Sequence, residues 1–160
     1  MNTAGKILII GALAITIAGI AGIAGEASAE PIGKWWAGSG QGNLEYAIKN
    51  DSAGSDQFYI GCGWAPTTIS LKVGGVEPKQ GQHAFITIDG DEFDLSLGEY
   101  GNFETKSHVD SDTFIALWTA IRAGQTMRVK LSTGQSTSFT LTGAAKALPK
   151  EPCETDFAKP

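Results

Sequence analysis

Apolar and polar residues alternate along much of the chain after residue 43. Apolar residues stand at every second position within residues 44–48, 58–62, 69–73, 84–88, 93–97, 127–131 and 139–141. A period of two residues places the apolar side chains on one face of a β-strand, so each run predicts a strand with one buried face. A further strand is predicted over Ile32–Ala37. Glycine and small polar residues cluster between the runs, as is typical of turns between antiparallel strands.

One segment has the longer period of an α-helix. Four apolar residues in it follow the spacing of a single helical stripe: Phe114, Leu117, Trp118 and Ile121. We predict that Asp110 or Ser111 caps the start of this helix and that Gly124 ends it in a left-handed conformation. A second, shorter helix is predicted over Ala144–Leu148, because the proline that follows cannot continue it.

Together these elements predict a mainly β fold. Short strands separated by regular turns indicate an antiparallel β-sandwich or a barrel-like sheet. The amphipathic helix would cover one face or end of it, and the short C-terminal helix would follow the last hairpin. The clearest hairpin signal is Asp89-Gly90, because glycine tolerates the positive φ that a two-residue turn requires. The order of the strands does not follow from the alternation.

The first residues predict a signal peptide. Lys6 precedes a long uncharged run rich in Ile and Ala, and Ala27-Ser28-Ala29 has the small residues of a cleavage site. The alternative is an uncleaved membrane anchor, because the uncharged run just reaches the length of a membrane span. We predict cleavage, with residues 1–29 as the signal peptide and no membrane span afterwards. Residues 30–160 would form a single β-rich domain with a frayed polar C-terminal tail, in the periplasm or secreted.

Two cysteines, Cys62 and Cys153, remain in the exported chain. A pair of cysteines in an exported protein predicts one disulfide bond. It would close a loop of about 90 residues, for which the chain-entropy treatment gives an upper limit of about 4 to 5 kcal/mol. The alternative, a catalytic thiol, needs a base and a reducing compartment.

Charge and motifs narrow the classes of function. The net charge of −5 argues against binding to nucleic acid or to an anionic membrane surface. Neither His83 nor His108 lies in a recognised catalytic motif, and the acidic group at residues 89–94 lacks the spacing of a calcium loop. We therefore predict no enzyme, no cofactor and no metal site.

Trp35 and Trp36 are the candidate binding residues. Neighbouring residues on a strand point to opposite faces, so one ring would enter the core and the other would face outward. Packing is the ordinary role of both rings. The outward ring could instead belong to a binding surface, where tryptophan is enriched.

The C-terminal unit resembles a known family. It combines Phe114-Ile115-Ala116-Leu117, the segment Ala123–Val129, the segment Ser138–Leu148 and Cys153. This arrangement is similar to the C-terminal half of the invasion-associated locus B family of secreted bacterial proteins, and also to small periplasmic accessory proteins of type VI secretion. The invasion-associated family usually has additional cysteines. The resemblance implies a bacterial envelope protein that acts by contact and brings no catalytic residues.

Three hypotheses for the function follow. The first is an invasion-associated type of envelope protein that contacts an unknown protein partner, which predicts an exposed apolar patch. The second is a periplasmic ligand-binding, inhibitor or secretion-accessory module, which predicts a concave pocket or a protruding loop such as Gly38–Gly42 or Glu77–Gln82. The third is a small hydrolase, which predicts clustered acids or an oriented histidine in a cleft.

Overall fold

A computed structural model describes residues 30–40, 42–63, 66–155 and 157, and the predicted signal peptide lies outside them. It has nine strands and two helices: β1 Trp36–Gly40, β2 Asn43–Lys49, β3 Gln57–Cys62, β4 Thr68–Lys72, β5 His83–Ile88, β6 Asp91–Ser96, β7 Phe103–Glu104, α1 His108–Ala123, β8 Thr126–Leu131, β9 Ser136–Thr140 and α2 Ala144–Ala147. The strands form two antiparallel sheets, ordered β1-β2-β3-β4-β7 and β6-β5-β8-β9. The predicted fold class, a mainly β sandwich with one long and one short helix, is confirmed.

A single hydrophobic core joins the two sheets and α1. Phe58 and Ile69 of the five-stranded sheet belong to the same buried cluster as Ile86 and Val129 of the four-stranded sheet. The predicted stripe of α1 is buried in this cluster. The ring of Trp118 meets that of Tyr46 edge to face at 5.2 Å, a favoured aromatic geometry. The helix therefore completes the core.

The β5–β6 hairpin has the turn that its sequence predicts. Asp89 and Gly90 both have positive φ, 50° and 106°, as a type I′ turn requires. Aspartate tolerates this region better than most residues, and here its carboxylate also accepts a hydrogen bond from the backbone of Gln125 at 3.1 Å. The hairpin is thereby tied to the exit of α1.

The ends of α1 differ from those predicted. The N-cap is Ser107, whose hydroxyl oxygen accepts a hydrogen bond from the backbone N–H of Asp110 at 3.1 Å, so neither Asp110 nor Ser111 is the cap. Ser111 is buried within the first turns instead. Gly124 follows the helix with φ −80° and an extended conformation, not a left-handed one. Adjacent small polar residues offer several caps, and packing selects among them.

Replacing Ser107 by alanine is expected to lower the free energy of unfolding by about 1 kcal/mol, because one helical N–H loses its partner. Urea unfolding followed by circular dichroism would measure this change. The control is Ser136→Ala, at an exposed position of β9 that caps no helix. Equal losses in the two variants would contradict the role assigned to Ser107.

The first strand is shifted from its predicted position. It covers Trp36–Gly40, not Ile32–Ala37, and Gly38 and Gly40 lie within it and pair with β2. The glycines that indicate a flexible connection in the sequence are thus part of the sheet. The prediction fails here because pairing to β2 stabilises a segment that has little intrinsic strand preference.

The predicted disulfide bond is present and joins Cys62 at the end of β3 to Cys153, with the two Cα atoms 5.7 Å apart. The predicted fraying of the C-terminal tail does not extend to Thr155 and Phe157, which both contact the domain. The Thr155 hydroxyl pairs with that of Ser111, and the ring of His108 packs edge to face against Phe157. The bridge and these contacts hold Cys153, Thr155 and Phe157 against the rest of the domain.

No helix in the described part of the chain is long and apolar enough to cross a membrane.

Candidate functional site

The outer face of the five-stranded sheet is built from residues that face one another across β1–β4. Directly opposed residues of antiparallel strands point to the same side. One such row contains Trp36, Ala47, Tyr59 and Ser70, and it alternates with the residues whose side chains enter the core. Ala47 has 0% exposure, whereas the two aromatic residues that flank it remain partly exposed. The row therefore presents two aromatic rings on one face of the sheet.

Each of these rings extends over a glycine two residues further along its own strand. A Cβ atom at Gly38 would lie 2.9 Å from the Trp36 ring, and one at Gly61 would lie 3.2 Å from the Tyr59 ring. The rings therefore occupy space that a side chain would otherwise fill. Glycine inside a strand often marks such a close approach. Because glycine has no side chain, the surface of the sheet is recessed beside the two rings.

Two cavities on this face meet at Tyr59. The larger, of about 280 Å³, is lined by Gln57, Tyr59, Ser70, Leu71, Lys72, Glu77, Pro78, Tyr100, Gly101 and Asn102. The smaller, of about 210 Å³, is lined by Asn43, Tyr59, Gly61, Gly63, Pro66 and Thr68. We call the two cavities together the outer groove. It runs along β3 and β4 with Tyr59 at its centre.

One wall of the outer groove consists of two loops that pack against each other. Gly101 has φ +70°, and any Cβ atom there would collide with the carbonyl group of Pro78. Only glycine fits both conditions without strain. The wall carries Tyr100, which is 79% exposed, and Glu77, which forms a 3.1 Å ion pair with Lys72 of β4. The loops are therefore joined to the sheet by packing and by charge.

The polar groups of this face are incompletely paired. Asn102 lines the groove, and its Oδ1 is buried without a hydrogen-bond partner. Nε1 of Trp36 is likewise buried and unpaired. A buried acceptor without a partner costs about 1 to 3 kcal/mol, and such groups are often satisfied by water or a ligand. These two atoms are the buried side-chain polar atoms without partners among the described residues.

The Tyr59 hydroxyl stays protonated through neutral pH. Burial raises its pKa above the ordinary value of 10.0, and the carboxylate of Glu45, which accepts its hydrogen bond, raises the pKa further. Tyr59 is therefore held in place by a hydrogen bond at its hydroxyl and by Gly61 beneath its ring.

The two predicted binding residues are separated by the sheet. Trp35 is buried, its ring packs against Phe58, and its Nε1 donates a hydrogen bond to the carbonyl of Thr140 at 3.1 Å. It also lines a cavity of about 510 Å³ together with Lys34 and Lys146. Trp36 lies on the other side, in the row of Tyr59. Which of the two binds a ligand stays a prediction.

The histidines lie away from the outer groove. Nδ1 of His83 is 2.7 Å from the Asp94 carboxylate on the exposed outer face of the four-stranded sheet. Nδ1 of His108 lies 3.0 Å from the carbonyl oxygen of Phe157. The Nδ1 contacts of the two rings are thus to a carboxylate and to a backbone carbonyl. In the described ranges no group of three or more His, Cys, Asp or Glu side chains is placed to hold a metal ion.

Most residues of the outer groove are not predicted from the sequence. Tyr59, Tyr100 and Asn102 were not singled out, because their proximity depends on strand order and on two loops. One usable signal was Gly61 inside an otherwise regular strand, which indicates close approach by other atoms. The loop at Glu77–Gln82, by contrast, was predicted as a candidate binding loop, and Glu77 and Pro78 do line the larger cavity.

Comparison with known proteins gives one result. Residues 33–148 match the family model described as YfjT, a span that reaches from just before β1 to the end of α2. No curated protein and no solved structure matches the chain.

Proposed function

The chain belongs to the YfjT family, and we propose that it is an exported binding protein that holds a polar ligand in the outer groove. The observation that carries this proposal is Asn102, which lines the larger cavity and whose buried Oδ1 has no hydrogen-bond partner among the described residues. A ligand donor would supply the missing hydrogen bond. Ligand sites commonly combine a concave surface with a few convergent polar groups and an aromatic lining.

Binding without catalysis is supported by the ionisable groups around the groove. Lys72 and Glu77 neutralise each other in an ion pair, and the Glu45 carboxylate accepts a hydrogen bond from the Tyr59 hydroxyl. A general base needs a free lone pair within reach of the substrate. In this arrangement the charged groups are engaged in holding the groove together.

Export is supported by the Cys62–Cys153 bond. Disulfide bonds form and persist in oxidising compartments such as the bacterial periplasm or the extracellular space. We propose the periplasm or secretion as the location, with residues 1–29 as the signal peptide.

The first hypothesis, contact with a protein partner in the manner of the invasion-associated family, stays a prediction with less support. It requires a continuous exposed apolar patch. The exposed large apolar side chains among the described residues belong to different elements and connections: Ile32, Leu44, Val76, Tyr100 and Val109. Tyr100 is the member of this set that lines the outer groove.

The proposal can be tested with the oxidised protein and a panel of small polar fragments, comprising monosaccharides, dipeptides, nucleosides and dicarboxylates. Saturation-transfer NMR would detect which fragments bind. We expect hits whose signals fall at least tenfold in Asn102→Ala and in Tyr100→Ala. Asn102→Ala should nevertheless be as stable as the wild type within about 1 kcal/mol, because it removes an acceptor that is already unpaired.

Val109→Ala is the matched control, since Val109 is 73% exposed on α1 and lines neither cavity of the groove. Hits that bind all three variants equally, or a panel without any hit, would overturn the proposal.

A further inference from the structure

We propose that the ligand of the outer groove is an unbranched neutral oligosaccharide, an inference that rests on the proposed binding function and adds the class of ligand. Its argument uses the aromatic rings, the mixture of polar groups, the charge and the length of the groove.

The aromatic side chains are placed as sugar-stacking surfaces. Tyr59 stands at the junction of the two cavities and Tyr100 on the wall of the larger one. A pyranose ring has one face of C–H groups that packs on an aromatic ring, while its hydroxyls point outward to polar partners. Tyr59 is suited to this role because Gly61 and Glu45 fix its ring before any ligand binds. Preorganisation of this kind lowers the entropy cost of binding.

The polar lining offers both donors and acceptors. Gln57 and Asn102 each carry an amide that donates and accepts, and Ser70 and Thr68 carry hydroxyls that do both. Each sugar hydroxyl also donates and accepts. A carboxylate or phosphate ligand would need mainly donors and unpaired positive charge. The lining therefore matches hydroxyl groups better than anionic groups.

The charge of the groove favours a neutral ligand. Lys72 is the cation that lines it, and it is paired with Glu77 at 3.1 Å. The chain as a whole carries a net charge of −5. An anionic ligand would have to displace Glu77 and approach an acidic protein, which costs electrostatic energy.

The shape of the groove fits a linear chain. Gln57 and Gly61 lie on one face of β3 and are about 13 Å apart along the strand. This distance corresponds to roughly two to three sugar units. Tyr59 lines both cavities, so a chain that fills both would place one sugar ring beside that tyrosine.

The test is isothermal titration of the oxidised protein with three linear probes that differ in linkage and substituents: maltotriose, cellotriose and N,N′,N″-triacetylchitotriose. We expect at least one to bind, with affinity reduced at least tenfold in Tyr59→Ala and in Tyr100→Ala. Tyr59→Phe should retain most of the affinity, because it loses the hydrogen bond to Glu45 but keeps the stacking ring over Gly61. The matched control is Phe85→Ala, which removes an aromatic ring from the outer face of the other sheet.

Three outcomes would overturn the inference: no trisaccharide binds, Phe85→Ala weakens binding as much as Tyr59→Ala, or triglutamate or trialanine binds in the groove more tightly than every sugar. The fragment panel separates this failure from failure of the proposed function. If fragments other than sugars need Asn102 and Tyr100, the groove is a binding site for another class of ligand. If no fragment needs them, both proposals are wrong.

Discussion

Leu117→Asp is expected to abolish cooperative folding of the protein. Leu117 is 1% exposed and lies in the core cluster that joins both sheets. The substitution removes about 1.5 to 3 kcal/mol of apolar burial and adds the cost of an unpaired buried carboxylate, which is several kcal/mol. The sum approaches the whole stability of a domain, about 5 to 15 kcal/mol.

The control on the same helix is Val109→Asp, which places the same charge at a position that is 73% exposed. It should retain the wild-type melting transition within a few degrees. Differential scanning calorimetry would measure the melting transition of each variant. A cooperative transition of Leu117→Asp near the wild-type temperature would show that the helical stripe is not part of the core.

Loss of the disulfide bond is expected to be the second largest effect. Cys62 and Cys153 are separated by 91 residues. Removal of the bridge therefore lowers the free energy of unfolding by up to about 4 to 5 kcal/mol. Cys153→Ser should lower the midpoint of urea unfolding strongly, and a reducing agent should do the same to the wild-type protein. Denatured-state structure makes the real effect smaller than this limit.

In the reduced protein, the C-terminal segment should also detach from the domain more often. The Thr67 hydroxyl donates to the Glu154 carbonyl at 3.2 Å, and Thr155 pairs with Ser111. On reduction, amide hydrogen exchange at residues 153–155 and at Phe157 should rise by more than the exchange in β5 or β8. A wild-type protein whose unfolding midpoint is indifferent to reduction would show that the bridge contributes little to the fold.

The sequence predicted those parts of the fold in which period and burial agree. Alternating residues such as Phe58 and Ile60 specified β3, and Asp89-Gly90 specified the β5–β6 hairpin. The disulfide followed from the count of cysteines in a chain for which a signal peptide is predicted. Its partners could be inferred because two cysteines allow one pairing.

The predictions that failed concern choices between similar local options. Ser107, Asp110 and Ser111 can each cap a helix, and tertiary packing places Ser111 inside. Gly38 and Gly40 have low strand preference, yet pairing with β2 extends β1 through both. In each case a contact with another part of the fold overrides the preference of the residue itself.

The candidate site could not be predicted because it depends on register and strand order. Tyr59 and Ser70 become neighbours only when β3 pairs with β4 in the observed register. Tyr100 and Asn102 reach the same cavity through a loop held by Gly101 against Pro78. Alternation along a single strand contains no information about these distances.

We propose that the outer face of the five-stranded sheet holds the ligand. Residue-resolved amide NMR during titration with the tightest-binding trisaccharide or fragment would locate the binding site. We expect shifts confined to residues that line the outer groove, at 57–61, 68–72, 77 and 100–102. Shifts confined to residues 33–37 and 142–147, around the cavity beside Trp35, would contradict it and place the binding site on the opposite side of the sheet.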